Sequence, residues 1–187
     1  MNELNTSYST DHELLAIVDE HDQVIGSKTR REIHHEGLRH RAVHILVFDL
    51  SGHVCLQKRS LNKDVNPGAW DTSAAGHVDF GESYEIAAVR ELREELGISS
   101  IESLISIGRL DACEQTGWEF VQVFAIKAKR DLSPAPEEIE MLKWVSLAEL
   151  GRLLDDDAVH VTRSFRRVWD CFKASELGPA FLAQACD

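Results

Sequence analysis

One stretch constrains this chain more than any other: Gly76 to Ile98, GHVDFGESYEIAAVRELREELGI. Ser83 to Leu96 has the length and composition of a helix, and Gly97 marks its stop. On that helix Glu91, Glu94 and Glu95 stand at i, i+3 and i+4, so their carboxylates gather on one face. Ile86, Val89, Leu92 and Leu96 are expected on the opposite face, buried against a sheet. Like charges at this spacing destabilise a helix, and a hard divalent cation, magnesium or manganese, would remove that penalty. Such an ion also neutralises phosphate charge and acidifies a bound water. Glu82, just ahead of the helix, is placed to add a ligand or to brace the turn. Arg90 is expected to pair with one of the acids and orient the helix, in preference to meeting a substrate. A solvated acidic face is the plain alternative. Gly76, Gly81 and Gly97 argue against it by framing a loop–helix–loop of defined length, with Gly76 leaving room for a backbone carbonyl to approach a metal.

The rest of the chain supplies a sheet for that helix. ELLAIVDEHDQVIGSKTR, 13–30, reads as two strands around a turn at 20–22, followed by a His-rich connection over 31–41. AVHILVFD, 42–49, is apolar almost throughout, as a central strand covered on both faces should be. Further strands are predicted over 53–59, 105–113, 118–130 and 142–145, with a loop at 60–71 and a short helix at 147–154. Over 160–173, Val161, Phe165, Val168, Trp169 and Phe172 recur at helical spacing. That pattern predicts a helix packed on the domain, with a homodimer or partner surface as the alternative. The expected architecture is α/β: a mixed sheet with helices outside, in one domain over 1–187 with its core at about 12–172 and loose ends.

Composition excludes several classes. The formal charge of -12, from 20 Lys+Arg against 32 Asp+Glu, argues against binding a nucleic acid polymer but not against small phosphorylated substrates beside a bound cation. No apolar run approaches the roughly 20 residues that span a bilayer, and the polar start is unlike a signal peptide, so a cytoplasmic setting away from membranes is expected. Cys55, Cys113, Cys171 and Cys186 are widely spaced, which suits scattered thiols better than a disulfide framework.

The segment resembles the Nudix box, Gly-x5-Glu-x7-Arg-Glu-U-x-Glu-Glu-x-Gly-U, where U is a bulky aliphatic residue. Gly76, Glu82, Arg90, Glu91, Leu92, Glu94, Glu95, Gly97 and Ile98 fill every specified position. The resemblance implies an α/β/α sandwich and magnesium-dependent hydrolysis of a diphosphate linked to another group. It also implies metal binding by Glu91, Glu94 and Glu95 with the Gly76 carbonyl. The motif does not fix the general base. Glu94 is preferred over Glu119 and over a glutamate in the 137–140 loop.

Outside the box, HRAVHILVF and LQKRSLNKDVNPGAWDTSAAGHVDFGES look like the isopentenyl-diphosphate isomerases that share this fold. In those enzymes a histidine cluster and a downstream glutamate hold a metal, which maps onto His40, His77 and Glu119, with His34 or His35 nearby. Their proton-transfer cysteine precedes the Gly-His pair, and here that position is Ala75. They typically lack the acids matching Glu91 and Glu94, and usually carry a glutamate where this chain has Gly117. The resemblance therefore favours a hydrolase. Its alternatives are an isomerase-like enzyme and a Nudix-fold binding or regulatory protein. A bacterial hydrolase subgroup sharing the His-Arg-Ala segment supports the same side. The histidines are expected to hydrogen-bond around a polar pocket, and an additional transition metal on His35, His40, His77 and Glu119 is the sharper alternative. Arg59 and Lys63 are expected diphosphate contacts, and Trp70 a packing residue. The substrate class stays open: a nucleoside diphosphate derivative is the default expectation, and a prenyl or other small organic diphosphate the branch-specific alternative.

Overall fold

The computed structural model describes residues 12–101 and 103–183. The ends at 1–11 and 184–187, expected to be loose, and Cys186 lie outside the described residues. Two strands, β1 (Leu14–Val18) and β2 (Val24–Thr29), form the expected amino-terminal hairpin. Its turn is drawn tight by Asp19, whose Oδ1 accepts from the amides of His21 and Gln23, both at 2.9 Å.

The connection that follows is a helix. In α1 (Arg30–Glu36), Thr29 and Glu32 form a reciprocal capping box and Gly37, at φ 64°, closes the end. Strand β3 (His40–Phe48) is buried at nearly every position. It pairs in parallel with β8 (Glu119–Lys127) along its whole length, from His40↔Glu119 to Phe48↔Lys127. Its other edge is divided. Antiparallel β6 (Ala74–His77) takes Ala42 to Ile45, and β4 (Val54–Arg59) meets it only at Phe48↔Val54. β4 continues with β5 (Trp70–Asp71) and β9 (Ile139–Val145), while β7 (Ile105–Leu110) borders β8. The sheet order is β5-β4-β3-β8-β7, with β6 on β3 and β9 on β4. Between β3 and β4 the segment leading into β6 fills the gap, its Ser73 hydroxyl accepting from the Val47 amide at 2.7 Å and donating to the Cys55 carbonyl at 2.6 Å.

Two cores lie on the two faces of β3. Ala42, Leu46 and Phe48 pack with Val121 and Val123 beneath α3 (Leu147–Asp155), α4 (Arg163–Ala174) and α5 (Leu177–Ala183). Val43, Ile45 and Val47 pack with Phe124 and Ile126 beneath α2 (Tyr84–Leu96). The apolar face of α4, Phe165, Val168, Trp169 and Phe172, is buried in the first core. Packing runs past residue 172, since Phe181 of α5 lies 5.4 Å from Phe48, centroid to centroid.

The buried face of α2 differs from the expectation. Ala87, Ala88, Glu91, Leu92, Glu95 and Leu96 form the inward stripe, while Ile86 and Val89 are 57% and 42% exposed. Two adjacent alanines allow the helix to approach the strands closely, and the residues one and two turns on follow them inward. Glu91 and Glu95 therefore face the sheet, while Glu94 stays half exposed.

Candidate active site

The inward acids meet β6 at the one residue that can admit them. A Cβ at position 76 would lie 2.0 Å from Glu91 Oε1, so Gly76 forms a notch filled by that carboxylate. Glu95 accepts from the Gln57 amide at 3.1 Å and from the Ala75 backbone N–H at 3.3 Å. Both acids are buried. Burial pushes Glu91 up to about 7 against the pull of Arg90, and burial with the charges of Glu91 and Glu138 holds Glu95 well above the usual carboxylate range. Two buried carboxyls reluctant to ionise, facing a notch with no side chain, fit a divalent cation, which would supply the missing positive charge. Glu94, one turn from Arg90, has half its side chain exposed.

Arg90 ties this site together. It donates to Glu91 at 2.5 Å, to Glu82 at 3.0 and 3.1 Å, to Glu94 at 3.3 Å and to the His77 carbonyl at 2.8 Å. Glu82 also accepts from the Asp79 backbone at 3.2 Å, so it braces the turn and Arg90 together. Lys63, in the 60–69 loop, pairs with Glu138 just ahead of β9. Arg59 is engaged elsewhere: its Nε and Nη2 donate to the Val65 carbonyl at 3.2 and 3.0 Å, bracing the 60–69 loop. Trp70 packs against the α4-side core, as expected of a packing residue. Glu138 belongs to the 137–140 loop already considered for the base, and two further contributors were missed in the sequence. Gln57 gave no signal there, and Glu13 reaches the site only because the hairpin lays its carboxyl within range of Glu91, Arg90 and Lys63.

A second constellation lies on the opposite face of the same strands. His40 shares its side of β3 with Ala42 and Leu46. In register with it are Glu119 on β8 and, opposite Ala42, His77 on β6. α1 contributes His34, and His35 is not among the clustered residues. The rings of His34, His40 and His77 have centroids 5.0 to 5.2 Å apart, with ligand atoms within 4.8 Å of one another. Glu119 Oε1 lies 3.5 Å from His40 Nε2 and 3.4 Å from His77 Nε2. These are ion-pair distances without a directed hydrogen bond to His40, whose buried Nε2 is left without a partner. Burial and the neighbouring rings lower His34 to about 4, and burial lowers His77. Burial works to raise Glu119, but its histidine contacts outweigh it and hold the carboxyl far below its ordinary value. Three imidazoles gathered around a carboxylate have the donor character of a transition-metal site. Ala75 pairs with His44 on this face, where His44 Nδ1 meets the Thr72 hydroxyl at 2.8 Å.

The NUDIX domain family profile matches residues 38–167, which takes in β3, the Gly76 notch, α2 and, of the second constellation, His40, His77 and Glu119 but not His34. The chain belongs to the Nudix family. Among its Nudix relatives, an uncharacterised Nudix hydrolase of Pseudomonas aeruginosa is 39% identical over 137 residues, 73% of this chain and 80% of that protein. An isopentenyl-diphosphate Delta-isomerase of Photorhabdus laumondii is 34% identical over 160 residues, 83% of this chain and 90% of the relative. A crystal structure from Deinococcus radiodurans superposes with a TM-score of 0.72 at 27% identity, covering 85% of this chain and 99% of that one. Relatives with hydrolase names and with isomerase names both match at this level, so the choice between the two chemistries falls to individual residues.

Proposed function

We propose that this Nudix protein hydrolyses a diphosphate linkage in a nucleoside diphosphate derivative or another small organic diphosphate. In this reading Glu91, Glu95 and Glu94 hold magnesium, or manganese in its place, and residues 1–187 act as one unit. The carrying observation is the Gly76 notch, where the Glu91 carboxylate lies in the space a Cβ would take. Ala75 supports hydrolysis over isomerisation, because an alkyl side chain has no proton to exchange with a double bond. When bound, the ion supplies charge neutralisation at the phosphates and acidification of water.

The chain's own residues do the remainder. Glu91 and Glu95 present their inward oxygens, and Arg90 keeps Glu91 and Glu82 in position without reaching the substrate. Lys63 exchanges Glu138 for a phosphate oxygen of the substrate. Glu94, open to solvent, takes the proton from the water that attacks phosphorus, and the bridging oxygen leaves with the electron pair of the broken P–O bond. Its competitor Glu119 is placed less well, on the face of the sheet away from α2. Glu94→Gln should reduce turnover by about 100-fold at saturating magnesium. Near-wild-type turnover in that variant would remove Glu94 from the role.

A second reading has its own observation, the orphaned Nε2 of His40. It supports an additional transition metal held by His34, His40, His77 and Glu119. Protein purified without chelator should then contain stoichiometric zinc or manganese by elemental analysis, lost on replacing His40 and His77 together. Metal content unaffected by both replacements would rule the site out.

A further inference from the structure

While the inward stripe of α2 is fixed in the sheet, its outer face has nothing against it that accounts for its composition. Ile86 and Val89 project there, 57% and 42% exposed. At the amino-terminal end of the same helix, Phe80 and Leu14 are 50% and 48% exposed. The Phe80 amide donates to the Leu14 carbonyl at 2.8 Å, which joins those two backbones. Single exposed apolar residues are ordinary, but four about one helix mark a contact surface. The face of α4 named as the alternative homodimer surface does not serve, because it is buried in the core.

The charges around this face select the partner. Glu85, Val89 and Arg93 stand four residues apart and follow one ridge, and Ile86 lies within about 20° of Arg93 at 100° per residue. Glu85 and Arg93 are exposed, and neither side chain makes a hydrogen bond or ion pair among the described residues. Arg90, by contrast, is held by Glu82, Glu91 and Glu94. The free acid lies one turn before Val89 and the free base one turn after it, each about 6 Å away along the axis. That spacing is self-complementary. A two-fold axis through Val89 turns the helix end for end and brings Glu85 of each copy to the partner's Arg93.

We propose that the outer face of α2 is a homodimer interface, in which two copies of this chain pair these helices antiparallel across a two-fold axis at Val89. Val89 and Ile86 pack against the same residues of the second copy, and a Glu85–Arg93 pair closes each end. Ridges of residues four apart interdigitate at a crossing of about 50°, which parts the helix ends by a few ångströms that the long Glu and Arg side chains span. A second copy brings the matching order of charges by symmetry alone. Glu94 lies about 140° around the helix from Val89, so the contact leaves the acid site open.

Sedimentation velocity on the full chain, over a wide concentration series, should show a dimer that grows with concentration. Val89→Lys places like charges on the axis while adding a favourable i, i+4 pair with Glu85, so the helix is kept. It should raise the dimer dissociation constant about tenfold or more. Glu85→Arg and Arg93→Glu should each weaken self-association, since each puts like charges at both ends of the contact. Mixed together, the two variants should form a heterodimer of about wild-type strength, because every contact between them is opposite in sign again. Recovery on mixing cannot arise from a damaged fold, and circular dichroism on each variant should show the helix content unchanged. A monomer at every concentration, a dimer indifferent to Val89→Lys, or variants that associate no better mixed than alone would overturn the proposal.

Discussion

A glycine at position 76 decides what Glu91 can do. With any side chain there, the carboxylate would be driven from β6, and its partner Arg90 with it. With glycine, Glu91 and Glu95 sit buried, where the protonated form is favoured in the absence of a cation. A carboxyl whose pKa rises on folding contributes stability that is present below the unfolded value of 4.5. For Glu91 that contribution is lost as the pH rises through about 7. His34 and His77, lowered on folding, act in the opposite sense across nearly the same window. The clean observable is therefore the shift caused by magnesium at each pH. Magnesium competes with protons for the two carboxyls, so its stabilising effect should grow from pH 5 to pH 7.5. At the upper end it should reach about 5 °C in Tm with the ion well above its Kd. A magnesium shift of equal size at both pH values would detach the ion from Glu91 and Glu95.

At the scale of elements, the hairpin is more than an appendage. Asp22, at its turn, is buried, with Arg41 Nε 2.7 Å, Arg109 Nη1 3.1 Å and the Tyr84 hydroxyl 3.0 Å from its carboxylate. Those partners belong to β3, β7 and α2, so one side chain fastens the hairpin to three elements. Asp22→Ala should cost about 3 kcal/mol in urea unfolding by leaving Arg41 without its counter-charge. A loss below about 1 kcal/mol would show that the hairpin is held by its apolar contacts instead. Periodicity made most elements legible: the hairpin, β3, β4, α2, β8 and α4 all follow from apolar spacing and turn residues. The helix at Arg30–Glu36 was missed because its polar sequence carries no apolar stripe; the Thr29–Glu32 capping box was its available signal. β6 is four residues of Ala, Gly and His, a strand only because β3 offers an edge, which no local pattern reveals. The inward face of α2 was misread because bulky Ile86 and Val89 outweigh Ala87 and Ala88 in any apolar count, although close approach selects the alanines.

Over the whole molecule, the sheet sets the acids beneath α2 on one face and the histidine cluster on the other. The box at 76–98 was legible because its residues lie together in sequence, and the helix carries Glu91, Glu94 and Glu95 to one place. The histidine cluster draws on α1, β3, β6 and β8, so its selection of His34 over His35 required the fold. No helix among the described residues is long and apolar enough to cross a membrane. The relatives carry both hydrolase and isomerase names, and the acids facing Gly76 with alanine at 75 place this chain with the hydrolases in our account. The most direct test is to follow a panel of nucleotides, dinucleotides and prenyl diphosphates by phosphorus NMR, with magnesium, for the wild type and Glu95→Gln. The account predicts cleavage of a diphosphate linkage that requires magnesium and falls by about 100-fold or more in the variant. Undiminished cleavage in Glu95→Gln, or conversion of isopentenyl diphosphate to its isomer without hydrolysis, would contradict it.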